Sequence, residues 1–449
     1  MGSALRRTRI VFLGLLVLSP SVARAQAPLM LEQAVQETLA HNRSLLGAKS
    51  AARESSEHVT EARAGFFPRV SFTESWQRGD QPVFVFSSLL SARKFGGANS
   101  ADFAPGALNS PAPTGFFRGA FSIDQQIFDG GRTRASLRSA RLQQDIAGSG
   151  VDEAASALVV AVSQAYGRAV AADAMVRGGD AAVASAQEDV ARAERRRDAG
   201  TMTDADVLAL AVHLADVQQR CILAAGDYAV ARAELNRLMG SPIDHEFTVQ
   251  EPPAASDAAA APALAALFAE ADASRPDLRR TSATERLAET GRDLARAAWY
   301  PQIGAQAGYE VAGTQITDRA SSWIVGAELR WNLSLGGAEH ARERAAAETA
   351  TRARLDREEA RASAHVEIVT AVRRLESARA RQTVGRATVT QARESERIIR
   401  NRFDAGVASA SDLLRASSAV LDAESQRINA LVDAVVSGAM LDRAVGRKP

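Results

Sequence analysis

Four segments of the chain alternate between apolar and polar residues with the period of two that is typical of β-strands. The predicted strands cover about residues 69–80, 116–128, 302–312 and 322–334. In the fourth of them Trp323 and Val325 lie on one face, and Glu328 and Arg330 lie on the other. Each segment has about ten residues, which is the length of a tilted strand that crosses a lipid bilayer. The pattern therefore predicts four membrane-spanning strands.

Aromatic residues are concentrated in these segments. All four Trp of the chain lie in or beside them, as expected for side chains that sit where a barrel meets the lipid headgroups. The predicted membrane-interface residues are Trp76, Tyr309, Trp323 and Trp331. An ordinary soluble sheet with one hydrated face is the alternative, and the concentration of Trp favours the membrane.

Long stretches without proline predict long helices. Proline does not occur from Thr114 to Ser241 or from Gln302 to Lys448, and these stretches are rich in Ala, Arg and Glu. The predicted helices cover about residues 133–199, 203–239, 338–405 and 409–446. The longest would measure roughly 100 Å at about 1.5 Å per residue. Because this is far longer than a globular helix, we expect coiled-coil packing.

Apolar residues in the second of these helices follow a heptad spacing. The seam consists of Val207, Leu210, Leu214, Val217 and Cys221. Cys221 is the one cysteine of the chain, so no internal disulfide is expected. Its place on the seam predicts a small buried hydrophobic residue rather than a reactive thiol.

The two halves of the chain repeat each other. Residues 198–200 and 404–406 both read Asp-Ala-Gly, and Asp206 corresponds to Asp412, at an offset of 206 positions. Upstream the offset becomes 233, since FFPRV at 66–70 matches WYPQI at 299–303. One unit of helix, two strands and two long helices has therefore been used twice.

The change of offset predicts an additional loop in the first half. The segment 91–115 is rich in Gly, Pro, Asn and Ser, which are typical of loops. The expected organisation is a first repeat over 26–240, an inter-repeat linker over 241–262 and a second repeat over 263–449.

The N-terminus has the pattern of a secretory signal peptide. Arg6, Arg7 and Arg9 precede a short apolar run, and Ala23 and Ala25 mark a cleavage site. We expect residues 1–25 to be removed on export. No later stretch of about 20 apolar residues exists, so no transmembrane helix is expected. An exported protein of this kind would cross a membrane with strands.

Charge and composition exclude several other functions. The chain has 54 basic and 53 acidic residues, which gives no argument for a nucleic-acid partner. Its six His are scattered, and none has another ligand at metal spacing, so no metal or other cofactor is expected. No pairing of nucleophile and base can be argued from the residues, and an enzyme is not expected.

Four strands cannot form a closed barrel on their own. A bilayer tolerates no open sheet edge, and the smallest bacterial barrels have about eight strands. If the strands cross a membrane, the chain must therefore share a barrel with copies of itself. Physical reasoning alone leaves the number of copies open.

Several motifs recur in a defined order along the chain. They are Phe67-Pro68 and Tyr300-Pro301 before strands, IFDGGR at 127–132, the two Asp-Ala-Gly phrases and ASRPDLR at 273–279. Together they resemble the TolC family of outer membrane efflux proteins. The resemblance implies an α+β membrane protein with an internal duplication. It implies a homotrimer whose 12-stranded transmembrane β-barrel, with four strands per chain, continues as a long α-helical coiled-coil barrel across the periplasm.

The resemblance also implies where the protein acts and with what. It would lie in the cell outer membrane, in contact with outer membrane lipid. Its partners would be a periplasmic adaptor (membrane fusion) protein and an inner-membrane transporter of the RND or ABC type. Small-molecule efflux and type I protein secretion both remain open. The competing interpretation is an exported coiled-coil structural or adhesin-like envelope protein without channel activity.

In this family the Asp-Ala-Gly phrases lie at the periplasmic tips of two helical hairpins. The corresponding tip residues are Ala199, Gly200, Thr201, Ala405, Gly406 and Val407. A tight turn between helices needs a residue that adopts positive φ, and glycine supplies it. The resemblance implies that the tips dock the adaptor, whereas the simpler interpretation is that they only cap the helices.

Two acidic residues follow the tips. Asp412 matches the residue that rings the closed tunnel mouth, where a trimer would place three carboxylates around one axis and favour cations. Asp206 matches a residue that helps to latch neighbouring coils. Each also ends a capping-box pattern that begins at Thr203 or Ser409.

The chain departs from the family pattern at three positions near Asp412. Phe403 stands where the latching Tyr is expected, Ala408 replaces the latching Arg, and Arg415 replaces a second aperture Asp. We therefore expect a latch of different chemistry. We also expect Arg415 to pair with Asp412 across one helical turn and to weaken cation selectivity.

Overall fold

The computed structural model describes residues 28–94, 105–253, 263–332 and 334–448. The expected signal peptide, 1–25, lies outside these residues. So do 95–104 of the predicted loop, 254–262 of the predicted linker, and residue 333 near the end of the fourth predicted strand.

Helices make up most of the described chain. In chain order they are α1 (Leu31–His41), α2 (Arg43–Ala64), α3 (Pro82–Ser91), α4 (Pro105–Asn109), α5 (Arg132–Asp198), α6 (Asp204–Met239), α7 (Leu264–Ser274), α8 (Pro276–Ala297), α9 (Ala338–Asp404) and α10 (Ala410–Val445).

The long helices have the same lengths in the two halves. Helices α5 and α9 have 67 residues each, and α6 and α10 have 36 residues each. Every bound of α9 and α10 lies 206 positions after the matching bound of α5 and α6, and α7 and α8 follow α1 and α2 by 233. The helix ends agree with the sequence-based prediction within one residue.

Four antiparallel strands form one sheet. They are β1 (Arg69–Gly79), β2 (Thr114–Phe128), β3 (Gln302–Gln315) and β4 (Asp318–Arg330), in the spatial order β1-β2-β3-β4. The last strand begins four residues earlier than predicted, because ladder hydrogen bonds continue through polar Asp318 beyond the alternating apolar stretch. Strands β1 and β4 are the edges of the sheet.

The two faces of the sheet differ in character, although the more apolar one also carries the ion pair of Glu74 with Arg319, whose oxygen and nitrogen lie 2.9 Å apart. One row crosses all four strands and is aromatic: Phe72 pairs with Phe121, Phe121 with Tyr309, and Tyr309 with Trp323. All four of these side chains are exposed, Trp323 by 77%. We call this side the apolar face. The opposite side, the polar face, carries the ion pair of Arg118 with Glu310, whose Nε and Oε1 lie 3.2 Å apart.

The long helices connect the sheet with two distant tips. Helix α5 packs against α6, and α9 packs against α10. Closer to the sheet α5 packs against both α2 and α8, and α9 packs against α8. Helices α2 and α8 end just before β1 and β3. The heptad seam of α6 is buried at Val207, Leu210 and Val217, as coiled-coil packing requires.

The middle of each long helix is surrounded by shorter segments. In the first half Tyr166 of α5 is buried, and its hydroxyl lies 2.8 Å from the Leu29 carbonyl oxygen and 2.6 Å from that of Gln250. Burial raises the pKa of Tyr166 to about 12. Leu29 and Val249 form a parallel bridge, so this part of the predicted linker is anchored to the helices.

Two expectations need correction. The connection between β1 and β2 contains helix α3 immediately before the predicted loop and the short helix α4 within it. The apolar run at 83–90 supplies a helix, because Pro82 begins it at a position that tolerates proline.

Cys221 is half-buried rather than buried, and its Sγ lies 3.3 Å from Oδ1 of Asp180. Helices α5 and α6 each contain a window with a mean hydropathy of 1.3, which is apolar enough to cross a membrane by length and composition. Alanine and valine raise these values, and both helices lie in the coiled coil.

Candidate functional site at the helical tips

Each helical hairpin turns at a glycine. Gly200 has φ of 74° and Gly406 has φ of 77°, a conformation that L-residues with a Cβ rarely adopt. The turns close with the same hydrogen bonds, since the amides of Thr201 and Val407 each donate over 2.8 Å to the carbonyls of Arg196 and Arg402. The two tips are therefore backbone copies of each other.

The six predicted docking residues lie on the outside of these turns. All of them are exposed: Ala199, Gly200, Thr201, Ala405, Gly406 and Val407. No Cβ placed at Gly200 would meet a heavy atom within 4 Å, whereas one at Gly406 would lie 3.2 Å from Nη2 of Arg196. The first tip is thus the more open of the two.

Both acidic residues cap the helix that follows their tip. The Thr203 hydroxyl accepts a hydrogen bond from the Asp206 amide and donates one to Oδ2 of Asp206 over 2.7 Å. Ser409 makes the same contacts with Asp412, and its own amide donates to Oδ2 of Asp412 over 3.2 Å. These bonds to Ser409 hold the pKa of Asp412 below its ordinary value.

Arg415 lies next to Asp412, as its position one turn later requires. Nη1 of Arg415 is 3.6 Å from Oδ1 of Asp412, and the guanidinium is exposed. A cation at this distance offsets part of the carboxylate's field. Asp206 has no arginine at the matching position, where the first half has Ala209.

A small apolar core joins the two tips. Phe403 is only 1% exposed and is packed in a cluster with Ala193, Val207, Leu210, Ala410 and Leu413. Ala408 is packed against the same cluster. Phe403 and Ala408, which replace the expected latching Tyr and Arg, therefore contribute burial instead of hydrogen bonds. Apolar contact of this kind stabilises the packing of the two tips against each other in proportion to the area removed from water.

Three arginines fasten α5 to α9 around this core. Nη1 of Arg192 lies 2.7 Å from Oδ1 of Asp404, and Nη1 of Arg400 lies 2.8 Å from Oδ1 of Asp189. Arg196 donates to the Phe403 carbonyl over 2.7 Å, and its guanidinium carbon lies 5.3 Å from the centre of the Phe403 ring. We call these contacts the tip clasp.

The tip clasp includes a buried carboxylate. Burial raises the pKa of Asp189 above its ordinary value, although Arg400 and Arg192 act in the opposite direction. The other ionisable groups around it are Asp404, whose charge also raises this pKa, and His213 of α6, whose own pKa is lowered by burial. Asp189 therefore loses its charge at a higher pH than an exposed aspartate does.

The residues of the tip clasp were not predicted from the sequence. Asp189, Arg192, Arg196, Arg400 and Asp404 lie on two helices separated by about two hundred residues, and only the helix register brings them together. The one available signal was the density of Arg around 192–197 and 400–402. Surface arginines are common on coiled coils, so this signal had little specificity.

The predicted interface aromatics lie far from the tips, on or beside the apolar face. Trp76, Tyr309, Trp323 and Trp331 are all at least half exposed. Nε1 of Trp331 donates to the Trp299 carbonyl over 3.2 Å where the sheet meets the helices. Within the described ranges, no group of three or more His, Cys, Asp or Glu could hold a metal ion.

The fold is that of solved outer membrane channels. The channel OprN has 20% identity and a TM-score of 0.76, with 93% of this chain and 89% of that chain covered. VceC of Vibrio cholerae has 17% identity and a TM-score of 0.74, with 93% and 96% covered. The open state of MtrE of Neisseria gonorrhoeae has 18% identity and a TM-score of 0.72, with 93% and 88% covered.

The family itself is established by sequence. The model of the outer membrane efflux protein family matches residues 34–241 and 267–447, which is most of the chain. The chain therefore belongs to the outer membrane efflux protein family, whose members are transport channels rather than enzymes. A comparison with curated protein sequences gives no significant match.

Proposed function

We propose that three copies of the chain form a duct through the outer membrane. The observation that carries this proposal is the sheet, which has an exposed apolar face and two open edges, β1 and β4. Lipid satisfies no backbone hydrogen bond, so each edge must pair with another strand. Pairing β1 of one copy with β4 of the next closes a barrel with the apolar face towards lipid and the polar face towards water.

The helices also leave a surface for neighbouring copies. Exposed apolar residues run along α6 on the side away from its buried seam: Leu208, Val212, Ile222, Leu223 and Val230. Only 17% of the apolar window of α6 and 22% of that of α5 is buried within the single chain. A second coiled-coil contact would cover this surface.

In this duct the tips would form the periplasmic gate. Asp412 and Asp206 would face the narrowing end, and the tip clasp would hold α9 and α10 against α5 and α6 in the closed state. The exposed turns at Ala199–Thr201 and Ala405–Val407 would dock a periplasmic adaptor. Through the adaptor, an inner-membrane transporter of the RND or ABC type would deliver substrates, and the chain would reach the membrane after removal of residues 1–25.

The test is outer membrane fractionation followed by conductance in planar bilayers. The native channel should fractionate with the outer membrane and conduct weakly while its gate is closed. Arg400→Gln removes one ion pair of the tip clasp and should raise the open probability. Arg373→Gln is the matched control, because this arginine lies on the same helix and its ion-pair partner among the described residues is Glu376, one turn away.

Two outcomes would contradict the proposal. A chain that fractionates away from the outer membrane and gives no conductance would favour an exported structural or adhesin-like coiled-coil protein. A conducting channel in which Arg400→Gln behaves like Arg373→Gln would leave the duct in place and remove the tip clasp from the gate.

A further inference from the structure

Helix α3 covers the outer end of the polar face of the sheet. It packs against β3 and β4, and its Phe84 lies in a cluster with Ala92, Phe116 and Ala312. Phe116 and Ala312 belong to the polar face, since they alternate in step with Arg118 and Glu310. They are 3% and 1% exposed, whereas most other strand residues are open to solvent. The helix therefore lies on the side that becomes the interior when the sheet closes.

The end of α3 is fixed to the hairpin between β3 and β4. Arg93 donates to the Ser321 carbonyl over 2.9 Å, and Lys94 donates to the Thr314 hydroxyl over 3.0 Å and pairs with Asp318. Among the described residues Arg93 is the one non-glycine with positive φ, at 55°. A non-glycine residue adopts this conformation only when surrounding contacts hold it. The position of α3 over the polar face is thus specified by side-chain contacts.

The surface of α3 that points away from the sheet carries two exposed apolar residues on either side of Ser87, whose hydroxyl donates to the Phe84 carbonyl. Val85, on the sheet side, is 3% exposed, whereas Val83 and Leu90 on the opposite side are 75% and 59% exposed. Exposed apolar residues that share one helix face form a surface that a partner can cover. The second half has no counterpart of α3, because two residues alone join β3 and β4.

We propose that the three copies of α3 meet inside the outer mouth of the barrel and form an apolar constriction there. The proposal rests on the trimeric duct proposed above. A barrel of 12 strands is about 25 Å across between backbones at ordinary strand spacing and tilt, and each helix is about 10 Å wide. Three helices that lean inwards from the wall therefore fill most of the opening. Val83 and Leu90 line what remains, where an apolar constriction impedes water and ions.

The partner that covers this exposed surface is another copy of the same helix. Closing the barrel places the polar faces of all three sheets around one axis, so each α3 has the other two as its nearest apolar surfaces. The outer constriction would act in series with the tip clasp. A substrate would have to displace these helices, and the contacts of Arg93 and Lys94 would return them.

Thiol crosslinking tests this arrangement. In a Cys221→Ser background, Val83→Cys and Leu90→Cys should each give disulfide-linked pairs of protomers on oxidation. Val85→Cys is the matched control on the same helix and should give none, because its side chain faces the sheet. In the Arg400→Gln background, whose inner gate is released, the Val83→Cys disulfide should lower conductance and a reductant should restore it.

The possible failures are distinguishable. A chain that neither forms trimers nor conducts overturns the duct and the constriction together. A conducting trimer whose thiols at positions 83 and 90 react with a maleimide but never link protomers overturns the constriction alone. Disulfides that form without changing conductance would also overturn it, since the helices would then meet without narrowing the path.

Discussion

The two halves of the chain share a backbone plan but use different side chains at matching positions. Gly240 and Gly446 end α6 and α10 in the same left-handed conformation, with φ of 74° and 81°. Just beyond the short helices α1 and α7, the side chain of Asn42 donates to the Leu238 carbonyl over 2.8 Å, and Arg275 donates to that of Ala444 over 2.6 Å. Asn42 and Arg275 are 233 positions apart, and Leu238 and Ala444 are 206 positions apart, so these are matching positions of the two halves. The two halves therefore make the same contact with different side chains.

The difference indicates what each half adds. The first half has α3 at the outer end of the sheet and a more open tip. The second half has Phe403 in the core between the tips and Arg415 beside Asp412. Repeated backbone geometry supports the architecture, while the features that would control passage occur once per chain. Substitutions at matching positions test this division directly.

The largest expected difference in stability is between the variants Phe403→Ala and Arg197→Ala, which change matching positions of the two halves. Truncating a buried Phe costs about 3–5 kcal/mol, and it also removes the ring on which Arg196 stacks. Arg197 is exposed and bonds its neighbour Asp198, so its loss should have little effect on stability. Limited proteolysis at the tips and the open probability in bilayers measure the change. Equal behaviour of the two variants would show that the tips are functionally equivalent.

The next comparison is between Gly446→Ala and Gly200→Ala. Both glycines are left-handed, which costs an alanine about 1–2 kcal/mol. A Cβ at Gly446 would also lie 2.7 Å from the Arg275 amide nitrogen, whereas one at Gly200 meets nothing within 4 Å. Overpacking adds about 1–3 kcal/mol to the loss of stability at Gly446, but not at Gly200. The midpoint of thermal unfolding should therefore fall further in Gly446→Ala, and an equal fall in both would exclude the packing contribution.

A third comparison uses Arg275→Ala and Asn42→Ala. Arg275 is buried and binds Asp277 and Glu367, each over 2.7 Å. Because both carboxylates remain partly exposed, we expect its loss to cost about 2 kcal/mol rather than the larger value for a fully buried pair. Asn42→Ala removes the side chain that caps the start of α2, which is worth about 1 kcal/mol, together with its hydrogen bond to the Leu238 carbonyl.

The stability that Arg275 contributes through its ion pair with Asp277 should depend on pH. Burial alone would raise the pKa of Asp277, but the hydrogen bond and charge of Arg275 hold it below its ordinary value. The stability that comes from this pair is therefore present above the unfolded pKa of about 3.9, and it is lost as the pH falls through the native pKa. Unfolding midpoints of native and Arg275→Ala protein should converge in acid. A gap that stayed constant would assign the effect to packing.

The sequence predicted the elements better than the contacts between them. The Asp-Ala-Gly phrases indicated both hairpin turns, because a turn that needs positive φ selects glycine locally. The alternation of apolar residues such as Trp323 and Val325 with polar ones indicated the strands. The tip clasp was not predicted, since pairing Asp189 with Arg400 requires the register of two helices. Helix α3 was missed because its apolar run has no helical periodicity of its own and is placed by contacts with β3 and β4.

The smallest expected effect concerns ion selectivity at Asp412 and Asp206. Arg415 lies 3.6 Å from Asp412, so we expect a ring of these carboxylates to attract cations only weakly. Arg415→Ala should raise the permeability ratio of cations to anions, and Asp412→Asn in the native background should change it little. Asp206→Asn is the matched control, because Asp206 has the same cap without an arginine one turn later. Strong cation selectivity in the native channel that vanishes in Asp412→Asn would refute neutralisation by Arg415, and the second tip would then act as an ordinary acidic filter.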